Sequence, residues 1–444
     1  MACNSISEVA EKIVQAALRR GFEEAAVQIN KSNSVMVKLA NSEISVVQRW
    51  SSLTVNLYLT KEGKILLTEI HPTTLEQVDR LIERAVSASV QVKPSILYTP
   101  LPEPAEIRPL NLVDDSIVKT MEDPSPLAET LLSTTSNADR VAGALTLSYI
   151  ERGLANSKGA KFKEAATGIE AYLRVFLGEA SGQWSYGSRK LFIEKVKQTA
   201  GTALELAEIA KGEPRQIEPG AYDVLLSPMV VGNLMNLVGM MASALAVLMG
   251  NSMFARTEPG SKVASEKFSL IDAPRNPELL GSTSFDEEGQ STENKPIIEE
   301  GILKTLLHNS KTAAKFGTKT TGNAGIMFPR AWTLSIPAGD STFDEMVKEL
   351  KKGIIITNNW YTRLQNYVEG IFSTIARDAA FYVENGEIKH PVTRIRIADR
   401  LPKLLSNIEL LGRDLYDISW WEVSPAVRAP YMMARDIGIS RPFV

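Results

Sequence analysis

The feature that most constrains this chain is a stretch without a charged residue, from Val224 to Met249, which runs VLLSPMVVGNLMNLVGMMASALAVLM. Six of the thirteen methionines lie in this stretch or just after it. A helix rises about 1.5 Å per residue, so about 20 uncharged residues are enough to cross the hydrocarbon core of a membrane. The stretch therefore predicts either a membrane span or a helix that is buried in protein.

The polar content of the stretch favours burial in protein. Asn233, Asn236 and Ser243 dilute the apolar run, and neither end carries the cluster of lysine and arginine that commonly flanks a membrane span. Pro228 after Ser227 is typical of a first helical turn behind a capping residue. We therefore predict no membrane partner, but a helix buried on nearly every side, in the core of a large domain or at an interface.

Composition indicates the class of protein. The 444 residues exceed one ordinary core, which predicts two or three domains. Hydrophobic residues make up 44% of the chain and charged residues 23%, as in soluble globular proteins. The formal net charge is −3, and without a stripe of lysine and arginine it gives no electrostatic reason to expect a nucleic-acid partner.

Cysteine and histidine are scarce. The single cysteine, Cys3, excludes an internal disulfide and a multi-cysteine zinc site, and it fits a reducing compartment. The first residues lack a basic segment followed by an apolar run, so we expect a cytoplasmic protein. The three histidines, His71, His308 and His390, lie more than eighty residues apart and form no local metal-binding motif.

Residues 1–212 predict an α+β region. A capping box at Ser5 and Glu8 begins a helix, and alternating apolar residues then predict several antiparallel strands and a second helix. Residues 93–109 contain five prolines, which deny regular hydrogen bonding. They predict an extended connector or a strap over the surface.

The same order of elements then appears a second time. A helix begins near Ser125, and a strand is predicted from Val141 to Ile150. The tetrapeptide LANS at 154–157 repeats the LANS at 39–42, and a long helix from about Ser188 to Ala210 follows. The repeat predicts that this α+β region consists of two similar halves.

A turn-rich boundary from Gly212 to Gly220 separates this region from residues 220–444. Apart from the apolar helix and Phe343 to Leu350, helical patterns are few there. Alternation in TLSIP and RIRIAD and the β-branched run GIIIT predict strands. We predict a mostly β domain around the apolar helix, and therefore an α+β fold for the chain.

Few residues of the second region are candidates for chemistry. Asp286, Glu287 and Glu288 form an acidic cluster suited to metal binding or acid–base work, but adjacent acids before a glycine are more typical of a solvated turn. His308 has no partner in its own segment and is more typical of a surface or core histidine. The segment GNAG at 322–325 is too short for a phosphate loop and predicts a β-turn.

Two apolar features are typical of interfaces and of cores alike. Trp420 and Trp421 are suited to anchoring a partner subunit, and equally to core packing. The methionine cluster favours core filling, but it is also typical of an adaptable peptide-binding or subunit surface. The sequence leaves these alternatives open.

The order of motifs in the second region resembles one protein family. The motifs are SP at 227–228, FDEEG at 285–289, IIEEGIL at 297–303, TGNAG at 321–325, VEGIFS at 368–373 and VENGEI at 383–388. They follow each other as in the TldD/PmbA family, also called modulators of DNA gyrase. The resemblance covers essentially the whole chain, because the N-terminal pattern and the segment ANSKG fit as well.

This resemblance implies a two-domain protein that works as a dimer. The candidates for the cleft or an interface are, from these motifs, Phe285, Asp286, Glu287, Gly289, Asn323, Asn385 and Gly386, and, as aromatic residues, Trp420 and Trp421. TldD-type members look like metallopeptidases that cut unfolded or extended peptides inside a closed cavity. They carry HExxxH on a helix, with a cysteine near the C-terminus as a third ligand.

The HExxxH spacing is one residue wider than HExxH, so both histidines reach one metal only where the helix widens, as in a π-bulge. The family's glutamate then acts as a base on metal-bound water. Here the corresponding positions fall on Asn236, Leu237 and Met241, and the stretch LYDISWWEVSPAVRAP contains no cysteine. An amide, a leucine and a thioether are unsuited to hydrolytic zinc.

The chain therefore resembles the PmbA (TldE) branch, whose members pair with a metal-bearing TldD subunit. The resemblance predicts no catalytic residue and no metal in this chain, and zinc in a TldD-like partner. The expected function is that of a cytoplasmic, non-metal-binding peptidase subunit, which shapes the cavity and the dimer interface around unfolded or extended peptides. Its partner is a TldD-like chain or a second copy.

Two alternatives stay open at this point. One is a self-sufficient homodimeric hydrolase that uses Asp286, Glu287 or Glu288 together with His308. The other is a protein that binds extended peptides without any chemistry.

Overall fold

The computed structural model describes residues 5–442, so Cys3 lies outside the described residues. The helices of the N-terminal region are α1 (Ile6–Arg19), α2 (Leu75–Ser89), α3 (Asp115–Thr120), α4 (Ser125–Thr134) and α5 (Ile193–Ile209). Its strands are β1 (Glu24–Ala40), β2 (Glu43–Lys61), β3 (Lys64–Ile70), β4 (Arg140–Asn156), β5 (Lys161–Leu177) and β6 (Ala180–Ser188). The capping box predicted at Ser5 and Glu8 begins α1.

The six strands form one antiparallel sheet in the order β3-β2-β1-β4-β5-β6. Strands β1 and β4 pair at its centre, from Ala26 opposite Asn156 to Leu39 opposite Gly143. Alternating apolar residues of these strands are buried under the helices, because a sheet with one covered face buries every second residue. The predicted helix-plus-antiparallel-sheet region is confirmed.

The two halves of the sheet are related by approximate two-fold symmetry. Strand β4 begins 116 residues after β1, at position 140 against 24, and the later elements follow in the same order. Ser157 donates its N–H to Ala25 O at 2.8 Å and accepts the Ala25 N–H on Oγ at 3.2 Å. Ser42 makes the same two bonds with Val141, each at 3.0 Å. The repeated LANS segment thus closes the β1–β4 pairing at both ends.

Residues 93–109 form no helix or strand and cross the surface, in agreement with their proline content. Leu101 is buried, and its N–H donates to Glu24 Oε1 at 3.1 Å. Ala105 donates its N–H to Gly289 O at 3.2 Å. The connector therefore straps the N-terminal sheet to the second region of the chain.

The second region contains two sheets. Its helices are α6 (Pro228–Met241), α7 (Ala244–Leu248), α8 (Ser310–Phe316), α9 (Phe343–Leu350) and α10 (Leu401–Ser406). Its first strands are β7 (Gly220–Leu226), β8 (Leu270–Asp272), β9 (Lys295–Glu299), β10 (Ile302–Leu303), β11 (Leu334–Ser335), β12 (Lys352–Ile356), β13 (Asn359–Asn366) and β14 (Ile371–Ala376). The remaining strands are β15 (Ala380–Glu384), β16 (Glu387–Pro391), β17 (Arg396–Arg400), β18 (Ile408–Leu411), β19 (Tyr416–Trp420), β20 (Val423–Ala429) and β21 (Met432–Ser440).

Helix α6 lies between these sheets. The smaller sheet has the order β10-β9-β8-β11-β20-β19, and the larger has the order β13-β14-β17-β21-β7-β12-β15-β16, with β18 beside β21. The helix contacts β11, β19 and β20 of the smaller sheet and β7 and β13 of the larger one. A mostly β region around a buried apolar helix is therefore confirmed.

The uncharged stretch is not one helix. Val224–Leu226 belong to β7, α6 ends at Met241, and α7 is a separate short helix. An apolar run is compatible with a buried strand as well as a buried helix, so the sequence did not separate them. The end of the stretch is also open, with Met240 exposed by 46% and Met249 by 59%. Among residues 5–442, no helix combines the length and hydropathy that a membrane crossing requires.

One hydrophobic core joins the two regions. Val35 of β1, Trp184 of β6, Leu225 of β7 and Leu405 of α10 belong to the same buried cluster. The segment from Gly212 to Gly220, where the sequence predicts a boundary, lies between α5 and the first residue of β7. The two regions therefore pack directly on each other.

We expect Gly182→Ala to destabilise the protein and Gly201→Ala to stabilise it. A Cβ on Gly182, in β6, would lie 2.2 Å from the backbone oxygen of Ala203 in α5, and overpacking of this kind costs about 1–3 kcal/mol. Gly201 lies within α5, and a Cβ at this position would meet no neighbouring atom. In a helix, alanine is more stabilising than glycine by up to about 1 kcal/mol. Chemical denaturation measures both free energies of unfolding, and shifts of the same sign would contradict this packing.

Candidate functional site

A large cleft, with a volume of about 1250 Å³, runs along one side of α6. Most of its lining is apolar, with a few polar groups, as is usual for a ligand-binding pocket. The helix contributes Asn233, Asn236, Leu237 and Met240, and the other walls include Glu170 of β5, residues 328–332 and residues 424–426. The cleft therefore lies where the two regions of the chain meet.

Two amides tie α6 to the wall of this cleft. Asn233 Nδ2 donates to Glu422 O at 2.7 Å, and its Oδ1 accepts from Thr362 Oγ1 at 2.6 Å. One turn later, Asn236 Nδ2 donates to Pro425 O at 2.9 Å. Buried carbonyl groups need such donors. These bonds explain why an otherwise apolar helix contains two asparagines on one face.

The three positions that correspond to the family's metal motif do not face one point. Asn236 and Leu237 line the cleft, whereas Met241 is fully buried in the core. Residues five apart on a regular α-helix point about 140° apart, and α6 is α-helical throughout. The Asn236 amide already donates to a carbonyl, and Leu237 offers no lone pair. These side chains do not fit a zinc ion.

Metal-binding clusters are also missing elsewhere in the part of the chain that the structure describes. No three or more histidine, cysteine, aspartate or glutamate side chains converge there in an arrangement that could hold a metal ion. Of the histidines, His71 follows β3, His308 precedes α8 and His390 lies in β16.

The acidic segment at 286–288 is buried, so the predicted solvated turn is wrong. Asp286 is 0% exposed and accepts the N–H groups of Glu288 and Gln290 at 2.9 Å and of Ala324 at 3.0 Å. Burial, and then the neighbouring Glu288 carboxylate, raise the pKa of Asp286 above its ordinary value. One of these donors, Ala324, lies 38 positions away in the chain, and the sequence pattern alone does not reveal that contact.

Glu288 forms a buried ion pair with Lys311 at 2.6 Å, with side-chain exposures of 3% and 2%. It also accepts the Ser310 N–H at 2.8 Å, at the first turn of α8. Lys311 Nζ lies 4.4 Å from the ring centre of Tyr58 in β2. The pair therefore joins the acidic loop, α8 and the N-terminal sheet.

His308 does not meet these carboxylates. Its Nδ1 lies 3.2 Å from Thr312 Oγ1, and burial lowers the pKa of His308 to about 4, so the ring is neutral at pH 7. Glu287 is paired with Arg330 at 2.9 Å. No hydrogen bond among the described residues joins His308 to 286–288. The acid–histidine pair that a self-sufficient hydrolase needs is therefore not assembled here.

Three other residues predicted for the cleft or an interface lie outside the cleft lining. Phe285 packs on Phe162 of β5, with ring centres 5.5 Å apart, and Gly289 lies in the same loop with a φ of 82°. Asn323 is fully buried and donates to Asp272 Oδ2 at 2.6 Å. Phe285 and Gly289 belong to the junction between the two regions, and Asn323 to the core of the second region.

Asn385 and Gly386 form the turn between β15 and β16. Their φ values of 55° and 72° are those of the Asn-Gly hairpin turn, which requires the left-handed conformation at both positions. Gly386 lies against the backbone of Lys348 in α9, and neither residue lines the cleft. Their role in this structure is to connect two strands.

Trp420 and Trp421 lie in different environments. Trp420 is 2% exposed and belongs to the core, whereas Trp421 is 63% exposed beside the cleft residue Glu422. Their ring centres are 5.5 Å apart, edge to face. Of the two alternatives that the sequence leaves open, core packing therefore applies to Trp420, whereas Trp421 provides an exposed aromatic surface.

Several cleft residues are absent from the sequence-based predictions. Glu170 accepts a hydrogen bond from Ser419 Oγ at 2.7 Å across the junction between the two regions, and Phe328 and Trp332 reach the cleft from a loop. The one available signal was alternation, which places Glu170 on the face opposite the buried Ile169. Sequence patterns do not pair residues from distant strands, so the contact could not be predicted.

These features define a class, an α+β protein with a large cleft along a helix that is buried between two sheets. The chain belongs to the PmbA/TldD family, because residues 219–441 match the family described as PmbA/TldA metallopeptidase C-terminal domain.

Relatives of known sequence are named as metalloproteases. One from Methanothermobacter thermautotrophicus is 27% identical over 327 residues, which cover 68% of this chain and 71% of that protein. The metalloprotease PmbA of Escherichia coli is 30% identical over 216 residues, which cover 47% of this chain and 46% of that protein. The second alignment therefore spans less than half of that relative.

Solved structures share the fold over its full length. A crystal structure from Thermotoga maritima, described as a candidate modulator of a DNA gyrase, has a TM-score of 0.83 and 26% identity, and covers 98% of this chain and 100% of that one. TldE from Thermococcus kodakarensis has a TM-score of 0.84 and 20% identity, with coverage of 97% and 100%. At that identity the likeness to TldE shows the fold alone.

We expect Lys311→Met to be strongly destabilising at pH 7. It leaves the buried Glu288 without its cation, and removing one partner of a buried pair costs about 3–5 kcal/mol. Lys304→Met is the matched control, because its pair with Glu299 is exposed by 44% and 51% and such pairs contribute about 0–1 kcal/mol. Urea denaturation compares the two variants, and a loss below about 1 kcal/mol for Lys311→Met would contradict the buried pair.

Acidification is expected to lower the free energy of unfolding more in the wild-type protein than in the His308→Gln variant. The pKa of His308 is about 4 in the folded protein against 6.5 ordinarily, so the unfolded chain takes up the proton first and stability falls as the pH falls from 6.5 to 4. The difference between these values corresponds to roughly 3 kcal/mol. Glutamine does not titrate and retains a polar group near Thr312. Denaturation across this pH range measures the effect, and parallel losses in the two proteins would contradict it.

Proposed function

We propose that this chain is the subunit without metal in a peptidase assembly of the TldD/PmbA type, in which a TldD-like partner binds zinc. The observation that carries the proposal is the cleft face of α6, where Asn236 and Leu237 occupy the motif positions and Met241 turns into the core. Membership in a metallopeptidase family supports a role in proteolysis. In this proposal α6 supplies a wall of the cavity, and the chemistry takes place on the partner.

The shape of the cleft supports an extended peptide as its ligand. Its volume of about 1250 Å³ exceeds the 300–1,000 Å³ that is usual for a small-molecule site. Phe328, Trp332 and Met240 offer apolar contacts for side chains. Asn236 Oδ1 is buried with no hydrogen-bond partner among the described residues, and a peptide N–H would satisfy it.

Exposed apolar side chains near the cleft support a partner subunit there. Met240, Met249, Phe328 and Trp421, here called the rim, are exposed by 46%, 59%, 61% and 63%. The first three line the cleft itself. Exposed apolar groups of this kind mark interaction surfaces. A second subunit on the rim would close the cleft into a cavity, and a TldD-like partner accounts for the missing metal ligands better than a second copy does.

The proposal places the assembly in the cytoplasm. A single cysteine in 444 residues supports a reducing compartment, because it leaves no internal disulfide to form. Zinc belongs to the partner in this arrangement, and this chain contributes no ligand to it.

Metal analysis and peptidase assays of the chain, alone and with its TldD-like partner, test the proposal. We expect the isolated chain to hold no stoichiometric zinc and to leave an unfolded peptide intact, and the complex to hold zinc and cleave it. Zinc with activity in the isolated chain would overturn the proposal. Peptide binding without cleavage, even with the partner present, would instead favour a binding protein without chemistry.

The double substitution Phe328→Ser and Trp421→Ser is expected to weaken association with the partner at least about tenfold, because buried aromatic anchors commonly contribute about 2 kcal/mol or more. Ile96→Ser is the matched control, since Ile96 is 84% exposed but lies on the connector and does not line the cleft. Analytical ultracentrifugation of mixtures gives the dissociation constants. The rim assignment fails if the control and the double variant have the same effect.

A further inference from the structure

The N-terminal sheet has an open edge apart from the cleft. Strand β3 pairs with β2 only along Val55–Lys61, so Glu43–Thr54 has β1 on one side and no strand on the other among the described residues. Val46, Trp50 and Leu53 on this edge are exposed by 45%, 39% and 38%. A long apolar edge is a template for pairing with another chain, and proteins usually cover or charge it.

The symmetry of the sheet indicates what kind of group occupies such an edge. In the second half, β6 pairs with β5 only along Ile169–Leu177, which leaves an equivalent edge on the rest of β5. There the chain covers the edge with its own extended segment. Leu112 forms a parallel bridge with Ala166, and Thr167 N–H donates to Leu112 O at 3.0 Å. Leu112 is only 1% exposed, so the added segment also buries an apolar side chain.

The edge of the first half lacks this cover. The offset of 116 residues that relates Ala25 to Val141 relates Ser51 to Thr167, and the two strands pair with their neighbours in the same antiparallel manner. The Ser51 N–H is therefore the equivalent outward donor. Within residues 5–442, no backbone hydrogen bond other than those with β1 reaches Glu43–Thr54. A row of backbone donors and acceptors is thus left for an extended segment.

We propose that Glu43–Thr54 binds an extended peptide of low charge as an added parallel strand, with Ser51 N–H donating to its backbone. The choice of a peptide as the ligand rests on the proposed function. The proposal adds a second peptide-binding site, outside the cleft. Charge supports this ligand, because Glu43 and Arg49 are the only charged residues of the segment and two backbone carbonyls already engage the Arg49 guanidinium. Backbone pairing would make capture tolerant of peptide sequence.

The test compares Ser51→Pro with Ser51→Ala in the full chain. Proline removes the outward N–H yet is tolerated on an edge strand, whereas alanine keeps the N–H and loses only the Oγ bond to Asn33 Oδ1. The probe is a fluorescein-labelled peptide of about ten residues with alternating valine and serine, since strands commonly reach this length. Fluorescence anisotropy should show affinity reduced about tenfold in Ser51→Pro and nearly unchanged in Ser51→Ala.

Unchanged affinity in a folded Ser51→Pro variant would overturn the proposal. So would a dimer of the wild-type chain, without peptide, that dissociates in Ser51→Pro, because the edge would then belong to a second copy. If circular dichroism shows that Ser51→Pro does not fold, Trp50→Lys replaces it. An added charge on the edge blocks strand pairing but leaves the backbone N–H groups in place. Unchanged affinity in Trp50→Lys would overturn the proposal as well. This binding assay measures neither zinc nor cleavage by the complex, which are the tests of the proposed function. The two proposals can therefore fail separately.

Discussion

The burial of α6 between two sheets is the constraint on which the second region depends. A helix that is apolar nearly all round needs cover on nearly every side, and strands from both sheets supply it. Each buried leucine, valine or methionine contributes about 1.5–3 kcal/mol relative to exposure. The side-chain N–H groups of Asn233 and Asn236 donate to the carbonyl groups of Glu422 and Pro425, which lie in a distant part of the chain. The same amides then form part of the cleft wall, so packing and the candidate site share one set of contacts.

The junction between the two regions contains buried charged side chains that are paired or hydrogen-bonded. The loop at 285–289 carries Asp286, bonded to three backbone N–H groups, and Glu288, paired with Lys311. The Arg152 guanidinium lies 4.2 Å from the ring centre of Phe285 and donates to Thr283 Oγ1 at 2.7 Å. Buried pairs are weak evidence for net stability, but each partner is costly to leave alone. They therefore hold the two regions in one relative position.

The duplicated sheet has two halves with different surroundings. The second half meets the loop at 283–284 through Glu164 and is covered by Leu112 of the chain's own extended segment. In the first half, no strand among residues 5–442 pairs with the outer edge of β2 along Glu43–Thr54. Alternation predicted the strands well, because periodicity of two is a local property. It did not distinguish Leu53, which is exposed, from Leu57, which is buried, since Leu57 packs against residues of α1 and α2 and Leu53 lies outside that cluster.

The sequence by itself determined the α+β class, the order of helices and strands in the N-terminal region, the buried apolar helix and the proline-rich strap, because each follows from local periodicity, capping or proline content. The family motifs added the vacated metal positions. Tertiary structure alone decided that Val224–Leu226 form a strand, that Asp286 and Glu288 are buried, and that Met241 turns away from the cleft. It also brought Glu170 to Ser419. The physical reason is that burial, hydrogen bonding and side-chain direction depend on residues that are distant in the chain. A local sequence pattern carries no information about which of these residues come into contact.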